Sequence, residues 1–142
     1  MDNPFSTLQQ YRTMLAPGGS LILTCPNWLN PRGFVLQTLW HLFRAPITKA
    51  DLHYLTPLDF QEWAGKLGMN LKWQTVDHDW GSGQKMIRDF ERRLPNVMRD
   101  ASLPVTQEQI DGFLNWLETR AVPFPHDREY EGAVGVYHLQ AT

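Results

Sequence analysis

At 142 residues, with thirteen basic and fifteen acidic side chains and a net charge of −2, the chain has the length of one domain and no overall electrostatic pull toward nucleic acid or anionic lipid. It has no signal-like leader and no apolar run near the roughly 20 residues that span a bilayer, so no membrane association and a soluble, cytoplasmic protein are expected. The single cysteine, Cys25, has no partner for an internal disulfide and reads as a core residue, while six tryptophans and seven phenylalanines fit a core, an apolar pocket or a subunit contact.

Asn3 can cap a helix with Pro4 in its first turn, and Phe5, Leu8, Tyr11 or Arg12, and Leu15 recur at helical spacing up to Pro17. Pro17-Gly18-Gly19 then permits the positive φ values that end a helix and reverse the chain. Leu21, Ile22 and Leu23 are consecutive apolar residues, the pattern of a strand covered on both faces. Asn30-Pro31 restarts a helix whose Leu36, Leu39, Trp40 and Phe43 form one stripe, ended by Pro46. Thr56-Pro57-Leu58-Asp59 is a capping-box start, Phe60, Trp63, Ala64 and Leu67 supply the buried face, and Gly68 stops the helix. Met69 to Val76 alternates as a strand. Two further helices are predicted over about 84–94 and 106–120, the second opened by Thr106-Gln107-Glu108-Gln109. Residues 121–131 read as a loop, and Ala133 to Ala141 as a last strand. The alternation predicts a single α/β domain over residues 1–142, with 79–131 a helical insertion between the last two strands.

The stretches "LAPGGSLILTCPN" and "HYLTPLDFQEWAGKLGMNLKWQTVD" resemble the C-terminal half of a class I S-adenosylmethionine-dependent methyltransferase of the group that acts on small molecules. Leu15, Pro17, Gly18, Gly19, Pro26, Asn27, His53, Thr56, Pro57 and Gly68 fall on that pattern, and the likeness covers roughly residues 2–78. The fold so implied is a partial Rossmann-like methyltransferase sheet, strands five, six and seven with flanking helices, residues 133–141 being the antiparallel seventh strand. In the complete family fold S-adenosyl-L-methionine is held by a Gly-rich turn after strand one, an acidic residue ending strand two, and groups at the ends of strands three and four. None of these occurs here, and Gly81-Ser82-Gly83 reads as a loop rather than a cofactor turn, so no cofactor-binding residue is expected in this chain. Met1-Asp2-Asn3-Pro4 looks like the tail of the family's "E-H-x-x-D-P" phrase, which places the expected chain start just past strand four.

Two functions follow from the resemblance. The chain is expected to be the substrate-side portion of a methyltransferase, inactive alone and completed by a missing N-terminal half. The alternative is a non-catalytic oligomerisation module derived from that fold, a homodimer made through the exposed edge of strand five or through the aromatic helix 33–44. Methyl transfer needs a positioned nucleophile more than a particular catalytic side chain, so the catalytic residues are left unassigned. A small-molecule substrate would meet Asn27, Trp28, His53, Tyr54 and Trp80. His53 is open to two roles, a general base or hydrogen-bonding group for substrate, or the fixing of the loop before Thr56. Asn27 could orient substrate or bond to backbone in a turn, and the turn role is the commoner one. Asp77-His78-Asp79, read as adjacent strand residues pointing to opposite faces, does not make a metal site. The run "RDFERR" over residues 88–93 reads as a solvated helix face.

Overall fold

Asn3, Asn30, Thr56 and Thr106 each open a helix in the computed structural model, which describes residues 2–48, 50, 52–127 and 129–142; Met1, Lys49, Asp51 and Arg128 lie outside them. The Asn3 carboxamide accepts from the Ser6 N–H at 3.0 Å and Asn30 from the Gly33 N–H at 2.7 Å, starting α1 (Pro4–Thr13) and α2 (Pro31–Phe43). At α3 (Pro57–Lys66) the Asp59 carboxylate accepts from both the Thr56 N–H and its hydroxyl, at 2.6 and 2.7 Å. At α6 (Gln107–Trp116) Thr106 and Gln109 bond reciprocally, and the helix widens into a single π turn over Leu117–Ala121. Gly68, at φ +59°, ends α3 in the left-handed conformation that a side chain would disfavour.

The strands are β1 (Ser20–Pro26), β2 (Met69–Val76) and β3 (Val134–Ala141), in the order β1-β3-β2 with both pairings antiparallel. The last strand is therefore the central one, and β1 and β2 run parallel to each other on either side of it. The fold is mixed α/β, a small antiparallel sheet with helices. In register, Leu21, Leu139 and Leu71 share one face with Leu23, Tyr137 and Trp73. Leu8 of α1 and Phe60 and Ala64 of α3 pack onto that face.

The opposite face corrects the sequence expectation for β1. Ile22, aligned with His138 and Lys72, is 71% exposed, so the strand is covered on one face only among the described residues. Three apolar residues in a row record the strand's composition, while the partners of Ile22 across the sheet are polar and leave that face open to water. A second core forms where α2, which follows β1, packs with α5 (Gln84–Asp100) and α6 from the stretch between β2 and β3, around Phe90, Met86 and Leu94.

Two further expectations are corrected there. The helix predicted over 84–94 continues to Asp100 through Pro95, because the ring forfeits one backbone bond while Leu94, Val97 and Met98 go on burying the same side. His78 and Asp79, read as strand residues, and Gly81 and Ser82, read as part of a loop, lie in the short helix α4 (His78–Ser82).

Candidate functional site

β1 and β2 both end, in their own direction, beside the start of β3. The Asn27 N–H donates to the Ala133 carbonyl at 2.8 Å and the Ala133 N–H to the Asp77 carbonyl at 3.1 Å, so the segments leaving both strands are tied at one point. Strand carboxyl ends are where α/β sheets place ligands. Four of the five residues singled out from the sequence lie on segments that leave this end or touch them. Asn27 and Trp28 follow β1, Trp80 is half-buried in α4, and Tyr54 meets Trp28.

Asn27 is 4% exposed. It donates both amide hydrogens to backbone, to the Tyr130 carbonyl at 3.0 Å and the Gly132 carbonyl at 2.8 Å, and its oxygen accepts from the Leu29 N–H at 3.2 Å. Asn30 repeats the arrangement, donating to the Asn27 and Gly132 carbonyls at 2.9 and 2.8 Å. Gly132 in turn donates to the Thr75 hydroxyl at 2.8 Å. This network fixes the segment between β1 and α2 against the segment that enters β3. A Cβ on Gly132 would stand 2.2 Å from the Val76 carbonyl, which explains glycine there.

Above the knot lies an aromatic group. The rings of Trp28 and Tyr54 meet edge to face with centroids 5.1 Å apart, and Trp40 of α2 lies 5.9 Å from Tyr54. Trp28 is buried, whereas Tyr54 and Trp40 are half-buried and reachable. His53, next to Tyr54 in the chain, is exposed. Trp40 belongs to an apolar stripe in the sequence, and it joins this group because Tyr54, fourteen residues further along, comes back against α2. The Arg44 guanidinium, at the left-handed end of α2, lies 5.2 Å from the Trp40 ring centroid.

Gly81-Ser82-Gly83 corrects its reading as a loop and tests whether the chain could cradle a nucleoside cofactor. Gly81 and Ser82 close α4, Gly83 leads into α5, and the space a Gly-rich turn would leave for a ligand is filled by protein. A Cβ on Gly81 would stand 2.4 Å from the Glu131 carbonyl, and one on Gly83 2.2 Å from the Asp79 carboxylate. This tripeptide therefore leaves no cradle for S-adenosyl-L-methionine. Asp77, His78 and Asp79 do not lie on a strand as expected. Asp77 is left-handed at φ 60°, the other two are in α4, and no group of three metal-ligating side chains occurs among the described residues.

The run over residues 88–93 is the largest correction. Asp89 is fully buried at its side chain and receives three guanidinium groups, Arg32 at 3.1 Å, Arg92 at 3.2 Å and Arg93 at 3.0 Å. Its position three residues after Met86 and one before Phe90, on the buried side of α5, was the signal in the sequence.

Beneath the sheet's covered face, burial pushes the Cys25 thiol up to about 11; the Tyr137 hydroxyl beside it acts the other way and the Asp59 carboxylate adds to the rise. Burial, then Cys25, pushes the Tyr137 hydroxyl up as well. Both groups stay neutral at physiological pH and serve packing. No helix among the described residues is long and apolar enough to cross a membrane. No protein-family model matches the chain, and no curated protein matches it.

Proposed function

We propose that this chain is the substrate-side, C-terminal portion of a class I S-adenosylmethionine-dependent methyltransferase, inactive alone, with the cofactor-holding strands pairing along the free edge of β1. The observation that carries this reading is the sheet order. An antiparallel last strand sits between two strands that run parallel to each other, which is what a strand five, seven, six arrangement requires. In that reading β1 is strand five, and its edge away from β3, unpaired among the described residues, is where strand four belongs. The open face bearing Ile22 and the half-buried Tyr54 and Trp40 fit the same division of labour, with the aromatic group receiving a small-molecule methyl acceptor. Proximity and exclusion of water would supply the rate, so no side chain is assigned as catalytic.

Calorimetry with S-adenosyl-L-methionine tests this, first on the chain alone and then on the chain co-expressed with a polypeptide carrying the cofactor-binding strands. The expected results are no heat in the first titration and saturable heat in the second. Binding by the lone chain, or none by a soluble pair, overturns the reading.

The unpaired edge also favours a second reading, a non-catalytic module in which two copies pair β1 to β1 as a homodimer. Sedimentation separates the two, since a concentration-dependent dimer lost on replacing Ile22 or its edge neighbours supports self-pairing and a monomer excludes it.

A further inference from the structure

Between the end of α2 and the second half of α5 lies a cleft of about 450 Å³, lined on its polar side by Arg44, Arg93, Asn96 and Asp100. We infer that this cleft binds an oxyanion, the carboxylate or phosphate group of a small molecule. Arg93 is held by its Nε against the buried Asp89 carboxylate, which fixes the side chain and leaves the two terminal nitrogens of a planar fork as donors. Arg44 is held from the other side by the Trp40 ring. Asn96 has its amide oxygen occupied by Arg99 at 2.9 Å, so what it can offer a ligand is its NH₂ donor. The one acid in the cleft, Asp100, is engaged by Arg99 at 3.7 Å.

The charge balance points the same way. The lining itself carries two guanidinium groups, Arg44 and Arg93, against one carboxylate, Asp100, on a chain whose net charge is −2, and Arg93 is one of three arginines that meet the buried Asp89. Three arginines on one buried carboxylate exceed what neutralising it requires. The surplus is anchored, and anchored guanidinium forks lose little freedom on meeting a planar or tetrahedral oxyanion. Because Arg44 continues the Trp28, Tyr54 and Trp40 group, the inference deepens the substrate-side reading, on which it rests only for calling the anion part of a methyl acceptor: the acceptor is anionic, with its ring or chain on the aromatic group.

The test follows the arginine side-chain nitrogens by NMR while the chain alone is titrated with methyl phosphate and, separately, with acetate, ionic strength being held constant with chloride. Saturable shifts at Arg93 and Arg44 are expected with one or both probes, and the tighter probe names the group. Arg93→Gln and Arg44→Gln should each weaken binding by about fivefold or more, in keeping with the loss of charged hydrogen bonds, and the Arg120→Gln control should not. Arg44→Gln leaves the Asp89 group intact, so it decides the matter if Arg93→Gln unfolds. Shifts that fail to saturate, or that survive in both variants, overturn the inference. Since no cofactor enters, anion binding with no methionine-cofactor binding in the paired sample would sink the methyltransferase reading alone.

Discussion

Around Tyr137 the core is made of rings. Phe60 stacks on it at 3.9 Å, Trp73 lies at 6.2 Å, and Trp63 meets Phe60 edge to face at 5.5 Å. Around Phe90 the core is mainly aliphatic, with Leu36, Leu39, Leu94, Ile110 and Leu114 beside the buried Trp28, and its one buried charge among the described residues is Asp89 under three arginines. The helical core is built by three helices from separate stretches of chain, with an apolar cleft of about 430 Å³ left between them, lined by Phe34, Leu39, Met98, Val105 and Phe113. The sheet core is closed on one face only and ends at an unpaired strand. Burial is thus left open along a cleft in one half and over a whole sheet face in the other, and the candidate site lies where the two halves join.

The comparison breaks most severely at Phe90, which is completely buried. Phe90→Ala should cost about 3–5 kcal/mol in urea unfolding, as large core truncations do. Amide exchange in that variant sharpens the contrast, since protection lost in α5 and α6 but kept in β3 would show that the layers hold independently. Next comes Asn27→Ala at the junction, which strips partners from buried carbonyls and should cost about 2 kcal/mol, with exchange rising across residues 129–133.

The ring-built core has an alkaline pH signature. The Cys25 thiol is raised from 9.0 to about 11, so the fold favours the neutral form; its contribution is complete below pH 9 and is lost as pH climbs through 11. The melting temperature should fall as pH rises above 9, Cys25→Ala should remove the first part of that fall, and alkylation at pH 8 should be slow until the chain unfolds. The smallest effect is expected at Ile22 on the open face, where Ile22→Lys should change the stability of the monomer by less than about 0.5 kcal/mol. A larger loss would mean that something covers the face.

Helix starts were legible because capping is local chemistry: Asn3, Asn30, Thr56 and Thr106 sit three residues before the groups they bond or are bonded by. Strand β2 was legible by alternation. Coverage was not. Leu21, Ile22 and Leu23 are all apolar, and which face of the sheet stays bare is decided by Lys72 and His138, residues brought alongside from far along the chain. Pro95 misled because a proline's lost hydrogen bond is weighed in the fold against continued burial of its neighbours. In the candidate site, Trp28 and Tyr54 stand out in the sequence only by segment, while their ring contact, Trp40's share in it and the reach of Arg32 to Asp89 all join residues distant in sequence. Spacing along one helix carries no information about such pairs.

The central position of β3 has a consequence for how the molecule is made. Neither β1 nor β2 pairs with the other; each takes its strand partner from residues 134–141, and Thr75 of β2 bonds besides to Glu129 and Gly132, all in the last segment of the three to leave the ribosome. The early strands must wait unpaired through the synthesis of roughly sixty to a hundred residues, and the Asn27 knot, spanning 105 positions to Gly132, waits almost as long. During that interval the helices of the insertion can already collapse, so the order of translation favours finishing the aliphatic half before the sheet exists.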